Sequence, residues 1–327
     1  MNASRRKALK FLASASLASL AVSSPFRATA EDSRKPIRLL VGYPPGGPAD
    51  IVARIMAERL SSVMGGPVVV DNRPGAGGQI AAQALKSAVP DGATLFLSNT
   101  HTIVTVPLTV ASPGFAPSTD FRPIGTVANF ELALAVHKRT GVKKLSELKA
   151  WLAAHSDEAN IGVPAPTSAP EFIAGKLARA FRTKTVPVPY RGAAPMVQDF
   201  LAGQVAAAVS GVSDFLPYLE SGALRILAVT RETPILAGVP SFEQAGYKGL
   251  DATDVLGVYA PVGMSDAVVT QYNAAIRQVL SMPDVAAKLR GYAMTAAPSS
   301  PAEHVQRLAE VSRTLTNLMK DGSYTTQ

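Results

Sequence analysis

The chain has 327 residues, 47% of them apolar and only 17% charged, with a mean hydropathy of +0.16, which excludes a disordered chain and leaves ample length for a buried core. It has no cysteine, which excludes disulfides, thiol catalysis, Cys-ligated zinc and iron–sulfur clusters. The net charge of +8 suggests nucleic acid at first sight, but Arg5, Arg6, Lys7, Lys10 and Arg27 stand in a 30-residue start without one acid. Without them the excess falls to +3, spread among acids, so no nucleic-acid partner is expected.

The start reads as an address. Basic residues precede the apolar run Phe11 to Val22, and Ala28-Thr-Ala30 offers a small-residue cleavage site before Glu31 and Asp32. A dozen apolar residues fall short of the ~20 that span a membrane. Residues 1–30 are therefore expected to be a cleaved export signal to the periplasm. Ser4-Arg-Arg-Lys-Ala-Leu-Lys10 is similar to a twin-arginine signal, with Ala8 where Phe is preferred, so the Sec route also stays open.

Short β-rich runs then alternate with amphipathic helices. The pattern predicts strands at Ile37 to Val41, Val68 to Val70, Thr94 to Leu97, Leu132 to His137, Asn160 to Val163, Thr185 to Val188, Ala206 to Val209, Leu224 to Val229 and Val255 to Ala260. It predicts helices at Ala49 to Val63, Gln79 to Ser87, Ser146 to Ala154 with Ser146 as cap, Pro170 to Phe181, Ala194 to Leu201, near Asp214 to Glu220, Ser265 to Ser281, Pro283 to Arg290 and Pro301 to Lys320. This is an α/β chain with mostly parallel sheets flanked by helices, and the rhythm restarts twice, which suggests two lobes. Ligands in such sheets bind at the carboxyl ends of strands.

Five strand-to-helix turns carry polar or glycine-rich sequence. Gly42-Tyr-Pro-Pro-Gly-Gly-Pro-Ala-Asp50 could present a helix N-terminus to an anion, with Asp50 opposing it unless it caps N–H groups. Asp71-Asn-Arg-Pro-Gly-Ala-Gly-Gly-Gln79 only superficially suggests a dinucleotide site, since Ile80 stands where the third glycine belongs; Asn72 and Arg73 could pin the loop. Asn99, Thr100 and His101 end a strand. Thr167 and Ser168 can cap a helix or donate to a carboxylate. Arg191 is a cation beside the turn at Gly192. No nucleophile elbow, metal-binding HExxH or P-loop occurs, and the four histidines lack metal spacing: His137 reads as structural, and His155 and His304 as exposed. Neither catalytic residues, a metal nor a cofactor is expected.

The motifs together resemble the Bug-type (TctC-like) substrate-binding receptors of tripartite tricarboxylate transporters. Lys35 to Arg54 resembles the family's opening and Val69 to Gly78 its second signature. Pro187 to Pro195, Leu201 to Val205, Leu224 to Thr230, Val239 to Gly246 and Val258 to Gly263 follow in family order. The resemblance implies a two-lobed periplasmic binding protein of type II-like fold, with lobe I from residues 31–127 plus 257–327, lobe II from 128–256, and a cleft that closes on a small carboxylate. It implies ligand-binding positions at Tyr43, Pro45, Gly46, Gly47, Asp50, Asn99, Thr100, His101, Pro166, Thr167, Ser168, Ala169, Tyr190, Arg191 and Ser210. It also implies membrane permease subunits as partners of a monomeric receptor. Two departures stand out. Where relatives often read G-Q-V-D-x-x-x-D, this chain has Ala206 and Ser210 in place of the acids, which points to a less basic ligand. Thr167 and Glu171 stand where relatives often carry Gly and His. The alternatives are a receptor for a signalling partner, and an exported hydrolase or isomerase built around a base such as His101.

Overall fold

The computed structural model describes residues 35–320, so the export signal lies outside the described residues. The first helices and strands follow from apolar spacing. In α1 (Pro48–Met64), Val52, Ile55, Met56 and Leu60 fall on one buried stripe, and Gly65 ends the helix in the left-handed conformation. Strand β1 (Ile37–Val41) is buried at four of its five positions, as a strand covered on both faces must be.

Two sheets organise these residues. In the first, β1 pairs in parallel with β2 (Val68–Asn72) and β3 (Thr94–Asn99). Beyond β3 lie β10 (Asp254–Pro261), β4 (Phe121–Phe130) and β11 (Met294–Ala296), all joined by antiparallel ladders. The second sheet has the order β7 (Val186–Pro189), β6 (Asn160–Val163), β8 (Ala207–Gly211), β5 (Leu132–His137), β9 (Leu224–Val229). Its β6 ladders are parallel and its β5 ladders antiparallel. The sheets are thus mixed, with a smaller parallel share than the alternation implied. The reason is that the chain crosses between sheets on β4–β5 and returns on β10, and these crossing strands run against their neighbours.

The crossings lie side by side. Glu131, between β4 and β5, accepts hydrogen bonds from Thr230 (2.7 Å) and Thr253 (3.3 Å), the residues just after β9 and just before β10. Burial raises the Glu131 carboxyl above its ordinary range despite these donors.

The remaining helices are α2 (Gln79–Lys86), α3 (Val106–Thr109), α4 (Pro117–Asp120), α5 (Leu145–Ala154), α6 (Ala169–Phe181), α7 (Ala193–Leu201), α8 (Val212–Phe215), α9 (Asp266–Leu280), α10 (Pro283–Gly291) and α11 (Pro301–Lys320). Ser146 is not the cap of α5, which starts one residue earlier from Lys144; Glu147 instead accepts from the Lys143 N–H at 2.7 Å. His304 is fully buried rather than exposed. From the buried side of α11 it bridges Thr126 and Tyr259 at 2.8 Å each.

Strand β4 is missing from the sequence reading because Pro123 and Gly125 interrupt it. Pro123 is tolerated because β11 pairs only with Ala128 to Phe130, leaving β4 without a partner on that side at Pro123. Gly125 is required because a Cβ there would meet the Ser299 carbonyl at 2.7 Å.

Candidate functional site

The carboxyl ends of β1, β3, β6 and β8 surround one cavity of about 80 Å³. That is several times the ~10–15 Å³ that one water needs. Its lining includes Tyr43, Pro45, Gly47, Asn99 and His101 from the first lobe, with Ser168 and Ser210 from the second. Larger grooves of about 660 and 360 Å³ are lined from the second lobe alone.

The β1–α1 loop is shaped from behind. Asp50 is 3% exposed and faces away from the cavity. Its Oδ2 accepts from the Gly46 N–H and Arg54 Nε, both at 2.9 Å, and its Oδ1 accepts from Asn72 Nδ2 at 2.9 Å. Asn72 also donates to the Tyr43 carbonyl at 3.1 Å. Burial alone would raise the Asp50 carboxyl, but the donors from Arg54, Gly46 and Asn72 together hold it below the ordinary carboxylate range. Asp50 therefore caps the loop, the condition under which it does not oppose an anion.

The second glycine-rich loop does not line this cavity. Gly78 lies at φ +92°, where a Cβ would come within 2.3 Å of Thr102 Oγ1, and a Cβ on Gly77 would meet the His101 ring at 2.7 Å. These glycines let the loop back onto the π-helical turn His101–Thr105. Thr102 Oγ1 donates to the Gly77 carbonyl at 2.8 Å.

His101 links the lobes. Its Nδ1 lies 3.0 Å from Tyr43 Oη, and its Nε2 lies 3.1 Å from the carbonyl of Pro166 in the β6–α6 loop. A carbonyl only accepts, so Nε2 carries the proton and Nδ1 is left as an acceptor beside the Tyr43 hydroxyl, whose single proton it shares with Asn99 Oδ1. Burial pushes the imidazole down to about 4, which keeps it neutral. Burial likewise raises the Tyr43 hydroxyl, keeping it protonated. Tyr43 Oη also lies 2.9 Å from Asn99 Oδ1.

Thr100 sits behind the lining. Its N–H donates to Asp254 Oδ1 at 3.0 Å, and its hydroxyl accepts from the Val255 N–H at 3.0 Å. Asp254 lines the cavity, and burial raises its carboxyl to about 6.

On the second lobe Ser168 is the N-cap of α6. It accepts from the Glu171 N–H at 3.4 Å and gives its own proton to the Ala165 carbonyl at 2.6 Å, so its hydroxyl is spent within the loop. Thr167 takes φ +49°, a left-handed conformation uncommon for a β-branched residue. Pro166, Thr167 and Ala169 lie outside the lining, as do Gly46, Asp50 and Thr100. Tyr190 and Arg191 also lie outside it. Tyr190 donates to Asp199 Oδ2 at 3.0 Å, and Arg191 is exposed.

Helix ends complete the cavity. Helix α1 starts from Gly47 and α7 from Gly192, both without a side-chain cap, and Gly47, Pro48, Ala49, Gly192, Ala193 and Ala194 all line the cavity. First-turn N–H groups have no intrahelical acceptor, and the helix dipole favours negative charge beside them. None of the lining residues is Lys or Arg, and no cluster of metal-ligating side chains occurs among the described residues. Phe130, Leu132, Asp214 and Asp254 were missed from sequence. They cluster where the crossing strands meet the cavity, and β4, a strand not foreseen, carries Phe130.

Comparisons with known proteins give the family and agree with the fold. Residues 52–321 match the family described as the tripartite tricarboxylate transporter family receptor, TctC. The chain belongs to that family of receptors. The β1–α1 loop just precedes the matched residues. A UPF0065 protein of Bordetella bronchiseptica is 32% identical over 271 residues, covering 82% of this chain and 80% of the relative. The periplasmic binding protein BugD aligns with a TM-score of 0.84 at 26% identity, over 89% of this chain and 99% of that one. A Rhodopseudomonas palustris protein solved with adipate, Rpa4515, aligns at 0.85 and 28% identity, over 88% and 97%. These matches bear out the two-lobed binding-protein fold.

Proposed function

We propose that the chain is a periplasmic solute receptor that closes on a small organic carboxylate and delivers it, as a monomer, to the permease subunits of a tripartite tricarboxylate transporter. The observation that carries this reading is the pair of glycine-started, uncapped helices, one per lobe, whose first turns line a single cavity with no side-chain cation. An anion bridging them gains from both dipoles only when the lobes are together, which is the differential affinity that drives closure. The solved relative with adipate and the family's name support a carboxylate. Closure would pivot where the chain crosses at Glu131 and before Asp254. Export through the signal at residues 1–30 supplies the periplasmic location. Both nitrogens of His101 face partners, Tyr43 and the Pro166 carbonyl, which argues against a role as the base of a hydrolase or isomerase.

Titration calorimetry of residues 31–327 against aliphatic and aromatic mono-, di- and tricarboxylates tests the reading. Micromolar binding of at least one, about −8 kcal/mol, is expected without turnover. Absence of heat from every carboxylate would refute it. Arg191→Ala should leave the affinity unchanged, because Arg191 is exposed and outside the lining.

A further inference from the structure

The wall made by the crossing strands differs chemically from the helix ends. Asp254 pairs across the β10–β4 ladder with Phe130. The Phe130 ring lies over Gly211, where a Cβ would meet it at 3.2 Å and would meet Asp214 Oδ2 at 3.4 Å. Asp214, on α8, accepts from Ser210 Oγ at 2.6 Å. Among the described residues no Lys, Arg or His lies within ion-pairing distance of Asp214 or Asp254, and both line the cavity. The acids expected at Ala206 and Ser210 are absent, yet Ser210 holds an acid four residues further on against the same cavity.

We infer that Asp214, oriented by Ser210, is a specificity-determining residue that accepts a hydrogen bond from a donor on the ligand, so that the solute is a carboxylate also bearing an ammonium or hydroxyl group. A carboxylate offers about four lone-pair sites, and Ser210 and the Gly211 N–H use part of that capacity. The rest faces a cavity walled by Phe130, Leu132 and prolines, where a ligand donor replaces lost water. Burial raises the Asp214 carboxyl to about 6, so it is largely ionised at pH 7.5 and repels a second carboxylate. A charge-assisted bond ranks ammonium above hydroxyl. The earlier pointer to a less basic ligand rested on the missing acids, and Asp214 removes that ground.

This inference rests on the carboxylate-receptor reading, and one experiment separates their failures. Three- to six-carbon series of plain carboxylates, hydroxy acids, amino acids and dicarboxylates are titrated at pH 7.5 into the 31–327 chain and its Asp214→Asn and Asp214→Ala variants. In the unaltered chain, the best amino or hydroxy acid should bind at least tenfold more tightly than the plain acid and the dicarboxylate of its length. Asp214→Asn, which can donate from its amide, should shift the preference at least tenfold toward the dicarboxylate, and Asp214→Ala should remove the preference for donors. Variants are compared only after thermal unfolding shows them folded; Asp214→Asn removes a charge that burial disfavours, so it should fold. If carboxylates bind but the ranking ignores Asp214, the inference is overturned and the receptor reading stands. If none binds, both fall.

Discussion

The two glycine-rich turns of the first lobe look alike in sequence and do opposite work. Residues 42–47 leave β1 and bring Tyr43, Pro44, Pro45 and Gly47 to the cavity, and their shape is imposed by a buried side chain, Asp50, from the helix that follows. Residues 75–78 leave β2 and stay out of that cavity's lining; their glycines make room for His101 and Thr102. In the first turn Gly47 opens backbone to the cavity, and in the second glycine removes side chains so that the turn carrying cavity-lining His101 can pack. Glycine content alone does not distinguish a site from its support; what the missing Cβ would have struck does.

The comparison breaks hardest at Gly78. Gly78→Ala combines a positive φ with a Cβ 2.3 Å from Thr102 Oγ1, which should cost about 4 kcal/mol from strain and overpacking together. Thermal unfolding should show a large drop in Tm, and any residual folded protein should bind carboxylate poorly because His101 and Thr102 have moved. An unchanged Tm would mean that the second turn is not a support.

Asp50→Ala removes the clamp of the first turn instead. The Gly46 N–H, Asn72 and Arg54 lose their acceptor, at a cost of about 2–3 kcal/mol. Affinity should fall more than tenfold because the turn loses its shape, although Asp50 touches no ligand in this reading. The folded carboxyl lies below its ordinary value. Its stabilisation is therefore complete above the unfolded pKa and lost as pH falls through the folded one. Denaturant titrations from pH 5 down to 2 should show that loss in the unaltered chain and a shallower one in the variant.

Most of the fold was legible because α/β alternation leaves strong periodic signals. Five elements, among them β1, β5 and β6, have the bounds that apolar runs suggest. The candidate site was legible where it lies on strand-to-helix turns, as at Tyr43, Gly47, Asn99, His101 and Ser168. It was illegible along the crossing strands. Phe130 lies on a strand broken in sequence by Pro123 and Gly125, whose tolerance depends on a short partner strand and on close approach by Ser299. Asp214, on the short helix α8, and Asp254, at the start of β10, are ordinary acids in sequence until the tertiary fold brings them to the cavity. Tyr190 and Arg191, which the family resemblance placed among the ligand-binding positions, lie outside the cavity lining: Tyr190 bonds to Asp199 and Arg191 is exposed.

A smaller effect is expected where the second turn's cargo meets the other lobe. His101→Phe keeps the ring's bulk but loses the Nε2–H bond to Pro166, and should weaken ligand affinity about tenfold, or 1.4 kcal/mol. The imidazole is held neutral by burial, near 4 when folded against about 6.5 when unfolded. Its contribution is thus complete above pH ~6.5 and lost as pH falls toward 4. Asp214 and Asp254 act in the opposite sense, since carboxyls raised to about 6 are relieved on protonation as pH falls. The difference between unaltered and His101→Phe stability, followed from pH 7 to 4, isolates the histidine and should shrink as pH drops. A constant difference would remove His101 as the neutral link between the lobes.

The smallest effect belongs to Gly46, and it sharpens the comparison with Gly78. Both residues have φ near +90°, so alanine at either is strained. A Cβ on Gly46, however, would meet nothing within 4 Å. Only backbone strain remains, about 1 kcal/mol. The N–H that Asp50 accepts is untouched by the substitution, so the loop should keep its shape. Gly46→Ala should therefore lower Tm slightly and change carboxylate affinity less than threefold by calorimetry. If it abolished binding while the chain stayed folded, the backbone at Gly46 would itself touch the ligand, and Asp50 would be holding a contact rather than a shape.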